Sequence, residues 1–164
     1  MKTRHYTYKN SIVEMIVELV ILLLVIGTVV FTLLTFPKLP ETVPTHIGAT
    51  GQVDGYGKKS SLLAMPLLSL ITYIGLSILQ RFPNVFNYPI EVTENNVDAL
   101  HSLGIKMIRC MKLFVVLIFA VGTCLFTESA FGRDFPAGYA LVAILLVLMS
   151  VMIVYYIVKM SKQK

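Results

Sequence analysis

The sequence has no tryptophan, two cysteines and few charged residues. Charged residues make up 14% of its 164 residues, against about 25% in soluble domains, which argues against a soluble globular protein. Two cysteines are too few for a disulfide framework. Cys110 and Cys124 lie on one predicted helix, about 21 Å apart at the rise of an α-helix, whereas disulfide Cα atoms lie within about 7 Å. We therefore expect both thiols to be free.

Apolar residues make up 56% of the chain and are gathered into long runs. A helix needs about 20 such residues to cross the hydrocarbon core of a bilayer, and residues 12–36, 61–79, 107–126 and 139–157 satisfy this. The first run is longer than the apolar part of a signal peptide, about 7–15 residues, so we expect it to be retained. The sequence predicts an all-α integral membrane protein with four transmembrane helices, in which residues 1–164 form one polytopic domain. The tyrosines expected at the membrane interface are Tyr56, Tyr88, Tyr139, Tyr155 and Tyr156.

Lysine and arginine are distributed unevenly between the predicted connections. Four of the 14 lie in the connections between the first and second and between the third and fourth predicted helices, namely Lys38, Lys58, Lys59 and Arg133. The other ten lie in the termini or around the middle loop. The positive-inside rule then predicts that the N-terminus, the C-terminus and the middle loop lie in the cytoplasm. A basic cytoplasmic rim follows from this rule, so the net charge of +5 does not indicate a nucleic-acid partner. The partner that the apolar runs predict is a lipid bilayer. The oligomeric state is not set by the sequence.

The connection between the first two helices, residues 37–60, holds most of the specialised residue types. Prolines at 37, 40 and 44 predict extended backbone and the end of the first helix, and glycines at 48, 51, 55 and 57 permit tight turns. We expect a Pro/Gly-rich extracytoplasmic loop here. Ser60 or Ser61 is the expected cap of the second helix, and Thr93 that of an amphipathic stretch that continues into the third.

Two acidic residues, Glu14 and Glu18, lie on one face of the first helix because they are four residues apart. Carboxylates in membrane helices are costly and normally have a partner. Arg109 and Lys112 lie at comparable depth on the third helix, which runs in the same direction. We predict an intramembrane ion pair of Glu18 with Lys112 or Arg109. The alternative is a proton or substrate relay, although no further acidic residue continues a path through the bilayer.

In the outer loop, Glu41, His46 and Asp54 are the residues that could bind a divalent metal, and His46 could act as a general acid. Their spacing is not the compact spacing of a zinc site, and the other histidines are predicted on the opposite side of the membrane. No Ser, Cys or Asp arrangement of a known catalytic type accompanies His46. We therefore predict neither a metal nor a cofactor, and a folded cap in which His46 and Asp54 hydrogen-bond the loop backbone.

The outer loop also carries a family resemblance. Its residues are Leu39-Pro40-x-x-Val43-Pro44-Thr45-His46, then Gly51, Asp54, Gly55 and Lys59. Placed between two membrane helices, this motif resembles domain of unknown function 1648, a bacterial membrane family that includes SdpI-like immunity proteins against a secreted toxin. The resemblance covers roughly residues 15–80.

The resemblance implies a toxin-immunity or sensing factor of the bacterial cytoplasmic (plasma) membrane that is not an enzyme. Its partner would be a secreted toxin peptide, or another membrane protein that the peptide attacks. The residues that match the motif and are candidates for binding are Pro44, His46, Gly51, Asp54 and Lys59. Two alternatives stay open: an accessory subunit of a transporter or envelope enzyme, and a membrane enzyme that uses His46 and Asp54.

Overall fold

The computed structural model describes residues 8–48, 52–133 and 135–163. Its helices are α1 Ile12–Thr35, α2 Ala64–Leu79, α3 Val97–Ala130 and α4 Pro136–Ser161. Two strands, β1 Thr42–Ile47 and β2 Val53–Lys58, lie between α1 and α2. All four helices, α2 together with the 3-10 turn before it, are long and apolar enough to cross a membrane. The prediction of a multi-pass protein with four membrane helices is confirmed.

Helix α3 is central, since it packs against α1, α2, α4 and β1. It is 34 residues long because the amphipathic stretch continues without a break into the apolar segment, as predicted. Leu100 and Leu103 at its beginning contact Met160 near the chain's C-terminus, and Phe126 near its end contacts Val43 of β1. We call these two ends of the bundle the terminal end and the hairpin end.

Among the described residues, large apolar side chains that are exposed outnumber those that are buried. Helix α4 shows this most clearly, because Gly138, Leu145 and Met160 are its only buried residues among the 26 that the structure describes there. A helix that is apolar on all sides without being buried in protein is typical of a membrane span. Its backbone polar groups are bonded within the helix, as a hydrocarbon environment requires. Lipid is therefore the solvent for this surface.

Contacts between the helices are made by small sets of apolar residues and by satisfied hydroxyls. Ile21 and Val25 of α1 contact Val116 of α3. Further along α1, Thr28 and Thr32 are buried, and each donates its hydroxyl to the carbonyl one turn earlier, at 2.8 Å. Their polar groups therefore need no partner from another helix.

The connections differ from the predictions at the helix ends. Pro37 lies in a 3-10 turn, Phe36–Lys38, rather than in extended backbone. Another 3-10 turn, Lys59–Leu63, leads directly into α2, so neither Ser60 nor Ser61 caps that helix. Backbone hydrogen bonds of this 3-10 turn already satisfy N–H groups at the beginning of α2, so a side-chain cap is not needed there.

The predicted cap at Thr93 is also wrong, because Asn96 is the residue that precedes α3. The Asn96 side chain accepts a bond from the Thr93 N–H at 2.8 Å. It also donates to the carbonyls of Glu91, at 3.1 Å, and Gln163, at 3.3 Å. Asn96 thus fastens the loop to the chain's C-terminal segment instead of capping the helix.

Candidate functional site

Strands β1 and β2 form an antiparallel hairpin that the sequence did not predict as strands. Pro44 pairs with Tyr56 and His46 with Gly55, and the register is irregular on both sides of His46. Such irregularities bend a strand and change the direction in which a side chain points. The hairpin therefore places His46 at the point where its own strand is distorted.

Glycines on β2 allow the two strands to approach closely. A Cβ atom at Gly57 would lie 2.9 Å from Cγ2 of Thr45, and one at Gly55 would lie 3.0 Å from Cβ of His46. Both distances are below ordinary van der Waals contact, so a larger residue would push β1 away. Gly55 and Gly57 thus set the spacing around His46.

One face of the hairpin is anchored on the bundle. Val43 is fully buried, together with Leu39 and Leu62. The side chains that pack against these three come from the ends of α1 and α3 and are Phe36, Phe126, Ala130 and Phe131. Pro44, a predicted binding residue, is buried as well, so it offers little surface to a partner.

Lys59, another predicted binding residue, closes the base of the hairpin. Its ammonium lies 2.8 Å from the carboxylate of Glu41, and its N–H donates to the Glu41 carbonyl at 3.0 Å. The same ammonium lies 5.6 Å from the ring centroid of Phe36. Lys59 therefore braces the strands against α1.

His46 and Asp54, unlike Pro44 and Lys59, have largely exposed side chains and do not hold the hairpin on the bundle. Nδ1 of His46 hydrogen-bonds the carboxylate of Asp54, rather than the loop backbone as predicted. The His46 and Asp54 side chains are 71% and 55% exposed. Residue Gly51, the remaining motif candidate, lies outside the described residues. The hairpin thus presents an oriented imidazole and a carboxylate to its surroundings.

Metal binding was the alternative for this loop. Within residues 8–48, 52–133 and 135–163, no group of three or more His, Cys, Asp or Glu side chains lies close enough to hold a metal ion. Among the same residues, His46 makes its side-chain hydrogen bond to Asp54 and to no hydroxyl or thiol. The arrangement offers a hydrogen-bonding and charged surface.

A second polar site lies at the terminal end and is centred on Glu18. Arg109 donates from Nε to one carboxylate oxygen of Glu18 at 2.9 Å, and Lys112 donates to the other at 2.7 Å. Gln80, which directly follows α2, adds a third donor, at 3.0 Å. The structure brings Glu18 together with both basic residues that the sequence offered as alternatives.

Lys112 is only 1% exposed, and every N–H of its ammonium has an acceptor. Besides Glu18, these acceptors are Oγ of Ser77 at 3.0 Å and Oε1 of Gln80 at 3.2 Å. A buried ammonium without such partners would be strongly destabilising. Ser77 and Gln80 were not predicted from the sequence as part of this site, although their spacing of three residues at the end of α2 places them on one helix face.

Arg109 extends the same network towards the N-terminus. Its guanidinium lies 3.2 Å from the carboxylate of Glu14 and donates to Asn10 at 2.5 Å. Glu14 also forms a reciprocal cap with Ser11 at the beginning of α1 and accepts the hydroxyl of Tyr8. Burial, together with the bond to Glu14, raises the pKa of that hydroxyl. Tyr8 therefore stays neutral and acts as a donor.

Comparison with known families locates the two sites relative to a recognised domain. Residues 23–70 match the family described as Domain of unknown function (DUF1648). This confirms the family resemblance predicted from the loop motif. The matched segment contains His46, Asp54 and Lys59 and excludes the acidic and basic residues of the terminal end.

A relative that matches only part of this chain comes from an archaeon. An uncharacterized protein of Archaeoglobus fulgidus is 37% identical over 67 residues, which cover 36% of this chain and 37% of that protein. The chain thus matches little more than a third of that relative's length. No solved structure gives a significant match.

Proposed function

We propose that this protein is a non-enzymatic sensing or immunity factor of the bacterial plasma membrane. It binds a secreted peptide toxin, or the membrane protein that such a peptide attacks, through the hairpin surface around His46 and Asp54. The observation that carries the proposal is the contrast between the two faces of the hairpin. One face is anchored through buried Val43, while the other presents the exposed His46–Asp54 pair.

A recognition surface needs groups that are held in place but not already used. Asp54 fixes the His46 ring through Nδ1, and the glycines and the Lys59–Glu41 brace fix the strands. Such preorganisation lowers the entropy that binding costs. An imidazole beside a carboxylate suits a peptide that carries both basic and hydrogen-bonding groups.

The orientation of this surface follows from the charge distribution. The basic residues of the terminal end outnumber those of the hairpin end, which by the positive-inside rule supports a hairpin that faces the outside of the cell. Labelling with a membrane-impermeant maleimide tests this. In a chain with both native cysteines replaced by alanine, Tyr56→Cys should label in intact cells and Val85→Cys only after lysis. Both positions are well exposed, at 67% and 63%.

The decisive experiment is capture of a partner from native membranes and secreted peptide fractions. Wild type should retain the partner, and His46→Ala and Asp54→Ala should lose it. The matched control is Arg133→Ala, which removes an exposed side chain at the same end of the bundle but outside the hairpin. Equal capture by all four proteins, or unchanged survival of cells that lack the gene under toxin challenge, would contradict the proposal.

The His46–Asp54 contact also favours a second candidate, a membrane enzyme in which Asp54 orients His46 as a general acid or base. The two candidates differ in what happens to the bound peptide or lipid. A binder returns it with unchanged mass, whereas an enzyme converts it in amounts exceeding the protein present. Mass spectrometry of the material recovered after incubation distinguishes them.

A further inference from the structure

A polar cavity of about 480 Å³ opens at the terminal end between α1, α2 and α3. Glu18, Lys112 and Ser77 line its inner part, and Asn10 and Arg81 line it nearer the chain's N-terminus and the end of α2. This volume lies within the range of small-molecule binding sites, about 300–1,000 Å³. None of the motif residues of the hairpin takes part in it.

The inner part of the cavity is satisfied without a ligand. Lys112 has an acceptor for each N–H, and Glu18 receives bonds from Arg109, Lys112 and Gln80. The two carboxylates of this network, Glu14 and Glu18, balance the charges of its two bases. A ligand is therefore held by groups nearer the opening.

Arg81 supplies the unbalanced charge at that opening. Its side chain is exposed, and it forms no ion pair with any residue in the part of the chain that the structure describes. Asn10 uses its carbonyl oxygen to accept from Arg109, which leaves its amide N–H groups as further donors. A guanidinium and amide donors that line the same cavity suit a phosphate, because charge-assisted bonds from Arg to phosphate are strong.

The depth of the cavity indicates where this phosphate would be found. Glu18 lies six residues into α1, about 9 Å from its beginning at the rise of an α-helix, and Arg81 lies just beyond the end of α2. The opening is therefore at the level of the lipid headgroups. Basic pockets between transmembrane helices on the cytoplasmic side bind acidic headgroups.

We propose that the terminal-end cavity binds an anionic phosphate group through Arg81, with Asn10 as a second donor. The phosphate comes from an acidic phospholipid headgroup or from a small soluble phosphate. This site is independent of the hairpin function, because it lies at the other end of the bundle and shares no residue with it.

The test uses the full-length protein purified in an uncharged detergent. The probes are dioctanoyl phosphatidylglycerol, dioctanoyl phosphatidylcholine and inorganic phosphate, with binding measured by native mass spectrometry. Wild type should bind the phosphatidylglycerol at least tenfold more tightly than the phosphatidylcholine. Arg81→Gln should lose that preference and Arg81→Lys should keep part of it. Lys159→Gln removes an exposed basic residue of α4 at the terminal end of the bundle but outside the cavity. This variant should behave as wild type.

The outcomes separate the two sources and decide the proposal. Competition by inorganic phosphate at comparable concentration assigns a soluble ligand, and binding of the phosphatidylglycerol alone assigns a lipid. The proposal is overturned if wild type prefers neither anion, or if Arg81→Gln and Lys159→Gln weaken binding equally. Arg81 is exposed, so an unchanged thermal unfolding temperature without ligand is expected for its variants. Failure here leaves the capture experiment with His46→Ala unaffected.

Discussion

Each end of this bundle pairs a carboxylate with a basic side chain, but the two pairs differ in burial and in what they do. At the terminal end, the Glu18 carboxylate meets Lys112, whose side chain is 1% exposed. At the hairpin end, the Asp54 carboxylate meets His46, whose side chain is 71% exposed. Removing one partner of a buried pair costs about 3–5 kcal/mol, while an exposed pair contributes about 0.2–1 kcal/mol. The degree of burial, rather than the presence of a charge pair, thus distinguishes a pair that stabilises the bundle from a pair that is available to a partner.

The largest expected effect comes from breaking the buried side of this comparison. Glu18→Gln leaves Lys112 and Arg109 buried without their shared carboxylate. We expect a loss of about 3–5 kcal/mol in the free energy of unfolding, measured as reduced thermal stability in detergent. A variant that keeps wild-type stability while losing activity would instead support the proton or substrate relay that was the alternative for Glu18.

Glu14→Gln is the matched control for that variant. Arg109 then keeps its bonds to Glu18 and Asn10, and Lys112 keeps all of its acceptors. The loss of stability should therefore be less than half of that for Glu18→Gln. Equal losses would mean that the network does not depend on Glu18 at its centre.

An intermediate effect is expected at the support of the exposed pair. In Gly57→Ala, the new Cβ would lie 2.9 Å from Cγ2 of Thr45, and overpacking of this kind costs about 1–3 kcal/mol. Hydrogen exchange in the hairpin should become faster. Gly75→Ala is the control, because a Cβ there meets no atom within 4 Å. Alanine is preferred in a helix, so Gly75→Ala should leave the hairpin's exchange unchanged.

The same contrast explains how far the sequence predicts this structure. The membrane helices follow from the length of the apolar runs, which depends on lipid as solvent and little on tertiary contacts. The meeting of Glu18 with Arg109 and Lys112 follows because α1 and α3 run in the same direction. The contributions of Ser77 and Gln80 were missed because uncharged polar residues at the end of a helix are common and, unlike a charge within an apolar helix, do not indicate a partner.

The hairpin was harder to predict because its residues are poor strand formers. Pro44, Gly55 and Gly57 are of types that are depleted in strands, so their pattern indicated turns and extended loop. The pairing of His46 with Asp54 depends on a register irregularity, and such a register is set by the anchored side chains of Val43 and its neighbours. Only the folded bundle supplies that support.

The smallest effect on stability should come from the exposed pair itself, together with the largest effect on binding. His46→Ala and Asp54→Asn each remove one side of a contact that solvent already surrounds, so the free energy of unfolding should change by about 0.5 kcal/mol or less. Thermal unfolding in detergent measures this, and hydrogen exchange in the hairpin should stay as in wild type. If either variant instead unfolds the hairpin, the pair is a structural brace like Lys59 and Glu41. Loss of partner capture with the hairpin intact would place recognition in these two side chains.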